Sequence, residues 1–259
     1  MRFGVTLNVT WVNLVLLVVE INKLQRHLSQ RSDLVRVGEP HERGHLIPAR
    51  AISKTKTLLS LGVNDNWRFD RAFQALNPDC KVVAVDHKLS LSSVLSEAFG
   101  SGLKSLHSAL MGKLKQSKLH AQTILNQVLL YTFYSSHTRL VRRRVSNQTN
   151  ELDISLETLI AVYGTLDDNA TMLNITMGCE QSHLLEDIIS LQDMLSVVTI
   201  ELSPLPDSTC QVEAFIDRMS TCFDIVHVSS NGVEVDQVTE MACLAAPLEL
   251  TFMNKRLSS

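Results

Sequence analysis

The sequence is poor in the residues that punctuate a chain, with 10 glycines and 6 prolines in 259 positions. That scarcity excludes collagen-like, linker-like and turn-dense all-β organisation. Cysteine is sparse as well. Cys80, Cys179, Cys210, Cys222 and Cys243 stand far apart, with no C-x-x-C pair and no tight Cys/His cluster. Neither a structural zinc site nor a disulfide-stapled scaffold fits that spacing, and no metal is expected. The odd count fits reduced thiols and, among compartments, the cytoplasm. An excess of one charge is also missing: 24 Lys and Arg face 27 Asp and Glu, for a net charge of −3. General nucleic-acid binding is therefore not expected, a local basic groove aside. What the chain does have is apolar residues, 45% against 20% charged. That supplies a substantial core for one large domain.

The amino terminus carries an apolar stretch from Val5 to Ile21, interrupted by Asn8, Asn13 and Glu20. A membrane helix wants about 20 apolar residues, and no small-residue cleavage site follows this one. Two readings stand: a buried or partner-packed helix running on through Leu24 and Leu28, and a short membrane anchor over residues 5–21. N-x-S/T triplets begin at Asn8, Asn147, Asn169 and Asn174 and matter only in a secreted context.

Further on, strand-like and helix-like signals alternate. Short apolar or β-branched runs begin at Thr57, Lys81, Met172, Ser196, Phe223 and Leu248. Helical spacing appears over Phe69–Leu76, Leu89–Phe99, Ser155–Tyr163, Ser182–Leu195 and Val212–Met219. This alternation predicts an α/β fold with a mostly parallel, Rossmann-like sheet flanked by helices. The expected organisation is an N-terminal helix over 1–30, a lead-in segment over 31–56 and the sheet domain over 57–259. From Leu103 to Leu140 the chain is polar and helix-compatible, and its histidines (His107, His120, His137) lack metal-facing spacing. Arg139, Arg142, Arg143 and Arg144 close that stretch; they read as a solvated surface turn, or else as an anion-binding patch.

Ligands of such sheets bind beyond the carboxyl ends of the strands. Gly62 ends the first run and lets the backbone approach a ligand, with Asn64 and Asp65 following it. Asp86 ends the second run, where a carboxylate can accept both hydroxyl hydrogens of a ribose. A glycine turn with a ribose acid points to a nucleoside cofactor. The dinucleotide fingerprint G-x-G-x-x-G is missing, so S-adenosyl-L-methionine (SAM) fits better than NAD.

These stretches also resemble a known family. Leu58-Leu-Ser-Leu-Gly-Val-Asn-Asp-Asn-Trp-Arg-Phe-Asp70 and Val82-Val-Ala-Val-Asp-His87 resemble the SAM-binding opening of FkbM-type and related methyltransferase-like proteins. The lead-in Val35–Pro48, Ile200-Glu-Leu202, Phe223–Asn231 and Pro247–Phe252 resemble further motifs of that family in the same order, across residues 34–256. The resemblance implies a class I methyltransferase fold. It implies cofactor contacts from Gly62, Asn64, Asp65, Asp86 and His87, and substrate contacts from Glu42, Gly44, His45 and Asn231.

The departures are specific. Asn64 replaces the family's second glycine, and the acids of its D-I-E-G-x-E turn are Ile175 and Met177 here, with Gly178 and Glu180 kept. Ser229 stands where the family has a second histidine after His227. Methyl transfer to a hydroxyl depends largely on positioning and needs one base, for which His227, Glu201 and Glu180 are the candidates. The expected function is SAM-dependent O-methyl transfer to a small-molecule or glycan-like acceptor. The alternatives are a binding-only descendant and a membrane-tethered accessory protein.

Overall fold

The computed structural model describes residues 28–29, 31–39, 42–63, 67–87, 89, 91–111, 114–136, 138–165, 170–177, 183–202, 209–230, 233–234 and 248–257. An antiparallel hairpin, β1 (Leu34–Glu39) and β2 (Glu42–Pro48), leads into the short helix α1 (Ala49–Lys54). Next come β3 (Thr57–Leu61), α2 (Trp67–Leu76), β4 (Lys81–Val85), the long helices α3 (Leu91–Leu110) and α4 (Leu114–Ser136), and β5 (Arg139–Val141). A two-residue pair, β6 (Arg144–Val145) and β7 (Asp153–Ile154), precedes α5 (Leu156–Tyr163), β8 (Thr171–Met177), α6 (His183–Ser190) and β9 (Leu195–Leu202). The chain continues with α7 (Thr209–Met219), β10 (Phe223–Ser230), β11 (Val233–Glu234) and β12 (Leu248–Asn254).

One sheet organises these elements, in the order β11-β10-β12-β9-β8-β3-β4-β5. Its centre, β9-β8-β3-β4-β5, is parallel, and β12 runs antiparallel between β9 and β10. This is the Rossmann-like α/β fold expected from the alternation of strands and helices. The central strands are largely apolar because both of their faces are covered. On one face Leu59, Leu61, Leu173, Ile175, Val198, Ile200, Leu250 and Phe252 pack with residues of α5, α6 and α7, among them Leu156, Leu159, Ile188, Phe215 and Met219. On the other, Leu58, Val82, Met172, Val197 and Met253 pack with Phe69 and Phe73 of α2, Ala51 and Ile52 of α1, and Val37 and Ile47 of the hairpin. The lead-in segment thus shares the core of the sheet domain.

Several local expectations change. The helix expected over residues 1–30 does not extend to Leu28, which forms a parallel bridge with Ile225, while the Ser29 amide donates to the Ile225 carbonyl at 2.8 Å. Residues 1–27, with the proposed anchor, lie outside the described residues. The helix expected over Ser182–Leu195 ends at Ser190, because Leu195 is needed in the core as the first residue of β9, where it is fully buried. Arg139 is in a strand rather than a turn, with its guanidinium 5.0 Å from the Tyr163 ring centroid. Arg144 pairs with Asp153 at 2.9 Å. Asn174 is buried in β8, so its triplet cannot accept a glycan in the folded protein, whereas Asn147 is exposed.

Candidate functional site

The strand order changes direction between β3 and β8: the chain steps outward through β4 and β5, then returns to lay β8 and β9 on the other side. Such a switch point opens a crevice at the carboxyl ends of the strands. Gly62 stands at its lip. Its φ is +76°, and a Cβ placed there would meet the Thr176 carbonyl oxygen of β8 at 3.0 Å. The residue must therefore be glycine for two reasons, a left-handed backbone and the close approach of a neighbouring strand. Its amide donates to the Val85 carbonyl at 3.1 Å. That bond sets Gly62 beside Asp86, the next residue after β4.

Asp86 is buried, and its own amide is fixed by the Val141 carbonyl at 3.1 Å. Its charge reaches Tyr134 of α4, whose hydroxyl is pushed well above the ordinary tyrosine range. Burial is the main cause there, with Asp70 and then Asp86 adding to it. His87, the residue after Asp86, is exposed, and its charge also reaches Asp153. The structure thus brings together Gly62 and Asp86, predicted from two separate sequence runs.

Beneath the crevice a polar row crosses the sheet. Ser60, Asn174, Thr199, Thr251 and His227 occupy one register line over β3, β8, β9, β12 and β10. Thr199 Oγ1 donates to Asn174 Oδ1 at 2.8 Å, and Asn174 Nδ2 donates to Ser60 Oγ at 3.3 Å. Ser60 Oγ in turn donates to Asp70 of α2, which also accepts the Tyr134 hydroxyl at 2.8 Å. Asp70 is fully buried, and desolvation pushes its carboxyl up to about 7 against the two hydrogen bonds that favour the charged form. The relay ties α2 and α4 to the sheet directly under the crevice. Two residues further along the strands lies a second polar line, Thr176, Glu201, Glu249 and Ser229, in which Ser229 Oγ donates to Glu249 Oε2 at 2.5 Å. Glu201 and Glu249 face each other across β9 and β12.

At the far end of the row the hairpin closes over β10. His45, on β2, is fully buried with its ring edge-on to Phe69 at 5.7 Å between centroids. His227 is buried on β10, and the nitrogens of both rings lack hydrogen-bond partners among the described residues. Burial depresses both imidazoles, His45 to about 3 with help from the nearby His227 and Arg36 charges, and His227 to about 4 with help from Arg36. Both are neutral at pH 7. A folded-state value below the unfolded one stabilises the fold above about pH 6.5, and the contribution is lost as the pH falls. At about 1.4 kcal/mol per pH unit, acidification from pH 6.5 to 4.5 should cost roughly 2–3 kcal/mol through His45. In urea titrations, a His45→Phe variant should lose less stability than wild type by about that amount over this range. The opposing slope from Asp70 is common to both proteins and cancels in the difference. Parallel pH profiles would refute the assignment.

Other predicted residues fall differently. Gly44 is buried on β2; Glu42 lies on the same strand at the hairpin turn, paired with Glu39. Asn64, Asp65, Glu180 and Asn231 lie outside the described residues. Glu201, Glu249 and Ser229 form a cluster that motif reading recognised only in part. The alternation in Leu248-Glu-Leu, a lone acid inside an apolar strand, was the available signal for Glu249. Tyr134 gave none. Among the described residues no group of three or more His, Cys, Asp or Glu side chains is arranged to hold a metal ion.

No family profile and no curated protein matches the sequence. Solved structures with a similar course include an O-methyltransferase from Streptomyces achromogenes, TomG, in complex with SAM (8% identity, 79% of this chain and 75% of that one, TM-score 0.41). A precorrin-6y C5,15-methyltransferase from Geobacter metallireducens is similar over 79% of this chain and 85% of its own (10% identity, TM-score 0.37). A 16S rRNA adenine methyltransferase from Catenulisporales acidiphilia is similar over 85% and 97% (11% identity, TM-score 0.36). These likenesses are distant. The fold rests on the chain's own strand order, with β12 reversed between β9 and β10.

Proposed function

We propose that the chain binds SAM across the ends of β3 and β4 and transfers its methyl group to a hydroxyl of a small-molecule or glycan-like acceptor. The observation that carries this reading is the pairing of Gly62 with Asp86 at the switch point, a bare backbone beside a buried carboxylate. The residues suit a nucleoside: Asp86 accepts two ribose hydroxyls, and the left-handed turn at Gly62 leaves room against the backbone. Bound there, SAM would supply an electrophilic methyl on its sulfonium. Asn64, Asp65 and His87 are proposed as further contacts from the two loops. The order of motifs along the sequence supports the finer kinship with FkbM-type proteins.

Among the candidate bases, Glu201 has the better position. It is the penultimate residue of β9, two strands from β3, on the sheet face that bears Ser60 and Asn174. His227 lies four strands from β3, about 19 Å at the usual strand spacing, and is sealed beneath the hairpin. Its depressed basicity also suits a proton acceptor poorly. Glu42, Gly44, Asn231 and the equally buried His45 remain proposed acceptor contacts.

Glu201→Gln should lower the methyl-transfer kcat by roughly 10²–10⁴-fold without changing SAM affinity, and His227→Gln should change it by less than about tenfold. Transfer from labelled SAM to a panel of hydroxylated small molecules and glycans would measure both. The opposite ranking would reassign the base. One observation favours a second reading, a binding-only protein. Ile175, where the family has an acid, is fully buried on the opposite, apolar face, so the end of β8 supplies no carboxylate at that position. SAM binding without transfer to any acceptor would decide for it.

A further inference from the structure

The hairpin of α3 and α4, inserted between β4 and β5, differs in charge and surface from the rest of the chain. Residues 91–136 hold four lysines (Lys104, Lys113, Lys115, Lys118) against one acid, Glu97, in a protein whose net charge is −3. The two helices pack along Gly102 and Ser105 of α3 against Ile124 and Ser117 of α4. Ser105 Oγ reaches the Ser117 carbonyl at 3.1 Å, and a Cβ on Gly102 would meet Ile124 at 3.8 Å. Leu130 and Tyr134 of α4 pack against Val63, Trp67 and Ala84 of the domain body, and Ser108 of α3 is buried as well. These contacts fix which way the remaining faces point.

Phe99, Leu103, Leu106 and Leu110 recur on α3 at intervals of four, three and four residues, one stripe of a helix. Leu114, Leu125 and Val128 form a matching stripe on α4. Given the antiparallel packing, both stripes lie on the same side of the hairpin, away from the body. They are exposed: Phe99 by 71%, Leu110 by 78% and Leu114 by 74%. Lys115 and Lys118, also exposed, lie along the outer edge of α4 beside this apolar face, and Lys104 adds an exposed positive charge on α3.

We propose that this face docks on an anionic lipid bilayer. Apolar residues along the centre with lysines at the flanks is the pattern of helices lying in a membrane interface. Protein interfaces, by contrast, are depleted in lysine and enriched in arginine, and the hairpin has no arginine. No helix among the described residues is long and apolar enough to cross a membrane, so the hairpin lies on the surface rather than spanning it. The charge is complementary to a phosphatidylserine-bearing leaflet, and each lysine near such a surface strengthens partitioning by about fivefold. This inference is independent of the proposed methyl transfer.

Co-sedimentation of the full chain with two kinds of vesicle tests it, pure phosphatidylcholine and phosphatidylcholine with about one-third phosphatidylserine. Wild type should partition at least about tenfold more strongly to the anionic vesicles, and less so at high salt. A Leu106→Ser, Leu110→Ser, Leu125→Ser variant should lose that binding while keeping its helical circular dichroism. A Lys104→Glu, Lys115→Glu, Lys118→Glu variant, confined to exposed positions, should lose the anionic preference. Failure of wild type to bind anionic vesicles would overturn the proposal. So would variants that bind like wild type, which would assign binding to residues 5–21. A wild-type dimer that dissociates in the leucine variant, without vesicle binding, would assign the face to self-association instead.

Discussion

Gly62→Val is expected to lower the unfolding free energy by roughly 2–4 kcal/mol. Two costs add. A branched residue held at a φ of +76° pays for a left-handed backbone, on the order of 1–2 kcal/mol. Its Cβ would also stand 3.0 Å from the Thr176 carbonyl oxygen, where β8 is pinned on one side by β3 and on the other by β9. The neighbour cannot withdraw without breaking a central ladder, so the clash is relieved only by bending β3 or the turn after it. Gly62→Ala should show an intermediate loss. Gly100 is the internal control: nothing lies within 4 Å of a Cβ added there, in the middle of α3. Gly100→Ala should stabilise by about 0.5–1 kcal/mol. Urea denaturation of the variants measures the difference. A Gly62→Val protein as stable as wild type would mean that the turn is not held as described.

That expectation changes how the site can be probed. From the sequence, Gly62 reads as a residue that makes room for a ligand, and a valine there should block binding in an intact fold. The structure adds β8 as a neighbour, so a loss of binding on substitution would mix folding with recognition. Periodicity and turn chemistry locate a glycine but not the strand that will lie beside it. The same limit applies to His227. Its strand was legible from the β-branched run, yet only the register, with β12 inserted between β9 and β10, puts it four strands from the crevice. The inner parallel strands were the easiest to read because burial on both faces leaves near-continuous apolar runs, as in Lys81–Val85. Helices α3 and α4 were harder. On α4 apolar residues point both toward the body, as Leu130 and Tyr134 do, and outward, as Leu125 and Val128 do, which blurs a single amphipathic stripe. β5 is three residues long and begins with an arginine, so it resembles the polar turn around it. Asp70 sits inside a motif that was read, but its partner Tyr134 is 64 residues away and joins it only through the docking of α4.

Asp86→Ala is expected to weaken SAM binding by roughly ten- to hundredfold, about 1.4–2.8 kcal/mol, with the fold retained. The carboxylate is the one group at the end of β4 with two acceptor oxygens matched to a vicinal diol. Charge-assisted hydrogen bonds of this kind are worth about 1.5–3 kcal/mol each before desolvation takes back a share. The fold should tolerate the change because the position is anchored through its backbone: the Asp86 amide donates to Val141, and Gly62 donates to Val85 next to it. Removing the side chain leaves both bonds in place. It also takes a negative charge from the neighbourhood of Tyr134, which favours ionisation of that buried hydroxyl slightly and does not oppose folding at neutral pH. Calorimetry of SAM and S-adenosylhomocysteine binding to both proteins would measure the difference, with matched urea midpoints to show that stability is unchanged. Equal affinities would make Asp86 a buried turn residue with no part in recognition. Absence of SAM binding by well-folded wild type would remove the cofactor from the proposal altogether, and the crevice would then need a different ligand.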